Sequence, residues 1–173
     1  MDPRPGRPAA YLVTFHTYGT WLPGDERGSV TRHHATFGEP HLGRSDARQA
    51  RSSARLRCPL VQLEPDERRI VLRTIEEVCR FREWTLRAAH VRINHVHAVV
   101  TADAEPERVM GDLKAWSTRR VAEAARGPRV GTLWVRGGST RYLWHAEHVR
   151  AACWYVLHAQ GEDVRFAVGE GGG

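Results

Sequence analysis

Apolar positions recur along this chain with two alternating periods. Near the start, Ala9-Ala10-Tyr11-Leu12-Val13-Thr14-Phe15 is rich in β-branched and aromatic residues and predicts a first strand. Glu64-Pro65-Asp66-Glu67 then sets a proline near the first helical position and acids in the first turn. Behind it Val71, Leu72, Ile75, Val78 and Cys79 follow the helical period, predicting a helix to about Phe81. Trp84 to Val91 alternates weakly and reads as a second strand, and a tight connection over 92–94 leads into a third, so the two form an antiparallel hairpin. Pro106 opens a second helix bearing Val109, Met110, Leu113, Trp116, Val121 and Ala124, which Gly127-Pro128 stops. Leu133-Trp134-Val135 predicts a short fourth strand, and Arg136 to Arg141 a flexible basic turn. A last helix, from about Ala146 to Ala159, turns Val149, Ala152, Cys153 and Val156 toward the core.

The order is strand, helix, strand, strand, helix, strand and an extra helix. That is an α+β chain with the ferredoxin-like β-α-β-β-α-β pattern: one antiparallel sheet, two helices on one face, and an appended C-terminal helix. Residues 9–162 form one domain, with no internal repeat or linker. The stretch 25–58 has no clean period and holds seven arginines (27, 32, 44, 48, 51, 55, 57) besides His33, His34 and His41. It reads as a basic loop that orders on nucleic acid or as a solvated surface insertion. The tail, 163–173, reads as disordered.

Within this frame the third strand, His95-Val96-His97-Ala98-Val99-Val100-Thr101, is unusual. Strand side chains alternate between faces, so His95 and His97 share one with Val99, and Val96, Ala98 and Val100 take the other. The ferredoxin-like order makes this strand central. With the first two helices on the opposite face, the imidazoles face the appended helix. On pattern alone, two satisfied structural histidines compete with half a site for a divalent cation. The last helix brings candidates to meet them. At ~100° per residue, Tyr155 and His158 lie about 60° apart and Gln160 about 140° from Tyr155.

Charge adds a partner class. The formal net charge is +6, which suggests a polyanion, first of all nucleic acid. Lys114 is the one lysine among 26 basic residues; arginine bias of that kind also arises in GC-rich genomes. Cys58, Cys79 and Cys153 show no metal or disulfide spacing and fit a reducing cytoplasm. No apolar run reaches membrane-spanning length, and the Pro- and Arg-rich start lacks the apolar segment of a secretory signal.

With these residues in view, the chain resembles the HUH-class single-tyrosine transposases, specifically the REP-associated tyrosine transposase branch. The resemblance rests on His95-Val96-His97, on Tyr155-Val156 with Gln160-Gly161, on Tyr11 to Leu22 and on Arg136-Gly137-Gly138-Ser139-Thr140-Arg141. It spans essentially residues 9–162. It implies cleavage and rejoining of single-stranded DNA, in DNA transposition and recombination, through a 5′-phosphotyrosine link to Tyr155 on a catalytic helix. It also implies Mg²⁺ or Mn²⁺ on His95 and His97, hairpin-forming DNA as partner, a homodimer, and a cytoplasmic, nucleoid-associated place in a bacterium. A tyrosine hydroxyl, with an ordinary pKa of about 10, needs such a cation near its target phosphate to act at neutral pH. Relatives commonly carry an amide ligand four residues after the tyrosine, where this chain has Ala159. Helical geometry favours His158 as third ligand, with Gln160 as the alternative.

Other residues carry two readings each. Tyr11, in a strand, reads as core; Tyr18 and Tyr142, in turns, could stack on bases. His145 and His148 start the last helix facing solvent, or touch phosphate. His16 and Trp21 pack a turn or bind a hairpin foot. Lys114, Arg119, Arg120, Arg136 and Arg141 are candidate phosphate contacts or solvated charges. Two rival functions remain: a catalytically silent ferredoxin-like nucleic-acid-binding module, which would present aromatics rather than histidines on the open sheet face, and a hydrolase of small phosphoesters, which would need carboxylates nearer the histidines.

Overall fold

The structure, a computed structural model, describes residues 6–19, 60–125, 131–159 and 167–169. The 25–58 segment with Cys58 and its histidines, Trp21, Gly127-Pro128 and Gln160 lie outside the described residues. The elements are β1 (Ala10–His16), α1 (Pro65–Phe81), β2 (Thr85–Val91), β3 (His95–Thr101), α2 (Pro106–Ala124), β4 (Ser139–Leu143), α3 (Ala146–His158) and β5 (Ala167–Gly169). They build one antiparallel sheet in the order β4-β1-β3-β2-β5, so the ferredoxin-like expectation holds and β3 lies at its centre.

The two apolar periods fix the layers. Tyr11, Val13 and Phe15 of β1 and Val96, Ala98 and Val100 of β3 share one core with Val71, Ile75 and Val78 of α1 and Val109 and Leu113 of α2. The opposite face carries a second, smaller core: Ala10, Ala88, Val99 and Leu143 packed against Ala152 and Val156 of α3. The helix over the histidine face is therefore the appended one. At the start of α1 the Glu64 backbone N–H donates to Glu67 Oε2 at 3.0 Å, which satisfies one of the donors a helix start leaves over.

Two expectations are corrected. The fourth strand is Ser139–Leu143, not 133–135. Leu133 and Trp134 are apolar because they are buried, not because they pair in a ladder: Trp134 stands edge-on to Phe15, centroids 4.9 Å apart, and makes only an isolated bridge to Thr17. The true β4 is an edge strand whose residues are largely exposed, and such a strand leaves no hydrophobic alternation to read. The second correction is at the tail. Ala167–Gly169, assigned to disorder, forms β5 against β2, pairing Ala89 with Val168.

The Arg136–Arg141 motif is likewise less a flexible turn than a fitted one. Gly137 has φ +80°, a conformation that side chains resist. A Cβ on Gly138 would run into Met110 Sδ and the Thr14 carbonyl. Lys114 reinforces the approach, its ammonium donating to the Val135 carbonyl at 3.1 Å and to that of Gly137. The weak alternation of β2 also has a local cause, a register shift between Leu86 and Ala88. Among the described residues no helix is long and apolar enough to cross a membrane.

Candidate active site

Sheet register sets the site. On the face toward α3, His97 pairs with Thr14 of β1 on one side and with His90 of β2 on the other. One step along, His95 pairs with His16. Directly opposed residues share a face, so four imidazoles and one hydroxyl gather in two adjacent rows. The hairpin that aligns them is held from outside: the Thr17 hydroxyl donates to the Val61 carbonyl at 2.6 Å, and its backbone N–H to the Asn94 carbonyl at 2.9 Å.

The His95 and His97 rings lie 4.8 Å apart, and those of His16 and His95 5.3 Å. Each of the central pair is oriented through Nδ1. His95 Nδ1–H donates to Asn94 Oδ1 at 2.7 Å, and His97 Nδ1 is hydrogen-bonded to Thr14 Oγ1 at 2.8 Å. An oxygen partner on Nδ1 is what metal-ligating imidazoles commonly carry, with Nε2 as the ligating atom. His95 and His97 are thus the residues that would hold a small divalent cation, as two of its ligands. Among the described residues, however, no three His, Cys, Asp or Glu side chains converge into a metal-holding group.

Tyr155 arrives from α3. Its ring stands 5.9 Å from that of His97, nearly perpendicular at 70°, and it is 43% exposed, open enough for a macromolecule to reach. The helix therefore brings the tyrosine to the histidine strand, as its period implies. His158 is placed differently. Its ring stacks on Trp154, centroids 5.4 Å apart, and its Nδ1–H donates to the Trp154 carbonyl at 3.0 Å.

Several secondary candidates find other employment. Tyr11 is buried edge-on to Tyr142, at 5.3 Å, and burial followed by Glu105 pushes its pKa up. Tyr142 is exposed and stacks with Trp144, but its hydroxyl faces Glu105 Oε2 at 3.5 Å; desolvation, then Glu107 and Glu105, raise its pKa. Acids beside that ring oppose a phosphate. Lys114 spends its ammonium on carbonyls, and burial holds its pKa down to about 8. Arg120 pairs with Glu77 and Glu123, and Arg119 lies over the Trp116 ring. Arg136 and Arg141 remain exposed, as do His145 and His148, whose rings lie 5.1 Å apart at the start of α3.

Thr14, Asn94 and His90 were not legible as site residues. For Thr14 and Asn94 no sequence signal exists, since both act through register and a turn. His90 had one: a hairpin turning over 92–94 sets residue 90 beside residue 97.

Comparison with known proteins bears on family and fold. The sequence model of a family described as "Transposase IS200 like" matches residues 57–149. A solved structure of a REP-associated tyrosine transposase bound to a REP hairpin overlays with a TM-score of 0.51, at 13% identity, covering 91% of this chain and 69% of that one. A candidate transposase from Deinococcus radiodurans R1 overlays with a TM-score of 0.49, at 16% identity, covering 92% of this chain and 98% of that one. No functionally curated protein matches.

Proposed function

This chain belongs to the IS200-like transposase family, and we propose that it cleaves and rejoins single-stranded DNA with Tyr155 as nucleophile. The observation that supports this most is the meeting of the Tyr155 and His97 rings, from an exposed helix and a central strand. In cleavage the Tyr155 hydroxyl oxygen bonds to the scissile phosphorus as the bond from phosphorus to the 3′ oxygen breaks. The phenolic proton passes to solvent and the departing oxygen leaves as a 3′-hydroxyl. Rejoining reverses this, an incoming 3′-hydroxyl displacing the tyrosine. The linkage retains the energy of the phosphodiester, so no nucleotide hydrolysis is required.

His95 and His97 would hold Mg²⁺ or Mn²⁺, which when bound polarises the phosphate and offsets its developing charge. Asn94 and Thr14 orient the two rings for that role. The third ligand is assigned to the last turn of α3, to His158, whose ring must leave Trp154 to serve. Gln160 is the alternative. A hairpin-forming strand is the natural substrate class, by analogy with the hairpin in the overlaid structure. The functional unit under this reading is a homodimer, which light scattering of the purified chain tests.

The binding-module alternative lacks its expected signature, because the sheet face toward α3 carries histidines rather than stacking aromatics. Incubation of the full chain with hairpin-bearing single-stranded DNA and Mn²⁺, followed by a denaturing gel, separates the two. Covalent protein–DNA adducts are expected in the wild type and none in Tyr155→Phe. Tight binding with no adduct would favour the module.

A further inference from the structure

α3 is held to the sheet differently from the other helices. α1 and α2 each bury six residues, whereas α3 buries two, Ala152 and Val156. The fully buried part of the apolar core beneath it is made largely of small side chains, Ala10, Ala88, Val99, Leu143, Ala152 and Val156, with half-buried Leu12, Val149, Cys153 and Leu157 packed around them. Apolar contact is non-directional, and by itself sets the rotation and axial position of a helix less sharply than a hydrogen bond does.

A directional contact lies within that patch. His90, on β2, is fully buried, and its Nδ1–H donates to the Val156 carbonyl at 3.1 Å. Val156 follows Tyr155 directly and sits in the final turn of α3, where carbonyls outrun their intrahelical donors. Across the β2–β3 ladder, His90 is also the register partner of His97. A single buried imidazole therefore joins the strand position beside His97 to the backbone beside Tyr155. Burying a polar ring is costly where an aliphatic side chain would fill the same space, and its bond to the helix offsets that cost.

We propose that His90 is a positioning residue: its bond to the Val156 carbonyl fixes the register of α3 and so holds Tyr155 against His97. The inference rests on the reading of Tyr155 as nucleophile, and its test has one arm that does not need activity. Three variants separate the effects. His90→Leu removes the donor, His90→Asn carries an amide N–H close to the Nδ1 position, and His90→Gln carries it farther out.

In the first arm, hydrogen exchange is followed across α3, β2 and β3. His90→Leu should speed exchange in the last turn of α3 by about tenfold, the factor that a lost buried hydrogen bond brings. The sheet amides should stay protected, and His90→Asn should restore the helix where His90→Gln does not. In the second arm, the rate of adduct formation is measured at saturating hairpin DNA with Mn²⁺. It should fall about tenfold or more in His90→Leu with DNA affinity unchanged, and recover in His90→Asn. If His90→Leu fails to fold, the Asn and Gln pair carries the test alone. Equal α3 protection in these two, or wild-type protection in His90→Leu, would overturn the proposal. Absence of adduct in the wild type would instead refute the role of Tyr155 and leave the exchange arm to decide on His90.

Discussion

Thr14 Oγ1 and His97 Nδ1 lie 2.8 Å apart across the β1–β3 ladder, so the side chain that orients a central imidazole comes from a strand more than eighty residues away in sequence. Removing that oxygen should harm the site more than the fold. Thr14→Val keeps shape and β-propensity, and Mn²⁺ affinity should drop about 10- to 100-fold, as loss of such an outer partner typically causes. Calorimetric titration of Mn²⁺ checks it, with urea unfolding expected to show a loss of about 1 kcal/mol.

The third ligand is decided by two variants. With His95 and His97 intact, His158→Ala should lower metal-dependent cleavage of a hairpin strand by at least about tenfold, and Gln160→Ala should leave it near wild type. Chelation by EDTA should abolish cleavage in all of them, and added Mn²⁺ should restore it where the ligand set is complete. The reverse ranking of the two variants would move the ligand to Gln160.

Gly138 is predicted to be intolerant of any side chain. A Cβ there would strike the Met110 sulfur and the Thr14 carbonyl, and the carbonyl belongs to a strand that cannot yield. Gly138→Ala should destabilise the chain by about 1–3 kcal/mol, the usual cost of overpacking, as read by chemical denaturation. Gly111→Ala, where a Cβ meets nothing, is the control and should be neutral or slightly stabilising.

What was legible in the sequence follows from what periodicity encodes. Val96, Ala98 and Val100 against His95, His97 and Val99 gave the two faces of β3 directly, and the Tyr155 face of α3 followed from helical spacing. β4 was misplaced because Ser139 to Arg141 are polar edge residues, while Leu133 and Trp134 are buried without a ladder. β5 was missed because Ala167–Gly169 is three residues beside a glycine-rich end, held by its pairing with β2 and by the packing of Val168 on the main core. The orienting partners Thr14 and Asn94 could not be read, since their roles exist only once register is set. Lys114 and Arg120 looked like phosphate contacts because sequence shows charge but not the carbonyls and carboxylates that occupy it.

Lys114 gives a pH signature. Burial holds its folded pKa at about 8 against an ordinary 10.5, so between these values the unfolded chain binds more protons than the native one. Stability contributed through this group therefore rises as pH climbs from 8 toward 10.5. Thermal unfolding of wild type and Lys114→Met across that range should show the wild type gaining relative to the variant. A constant difference between them would contradict the assignment.

The most direct test of the central claim is to find the tyrosine that carries the DNA. Adducts trapped with hairpin-bearing single-stranded DNA and Mn²⁺ can be digested with nuclease and trypsin and read by mass spectrometry. Trypsin releases residues 151–165 as one peptide in which Tyr155 is the sole tyrosine. A phosphodeoxynucleotide on that peptide, absent from Tyr155→Phe, is the expected result. The same mass on a peptide bearing Tyr18 or Tyr142, or adducts that persist in Tyr155→Phe, would contradict it.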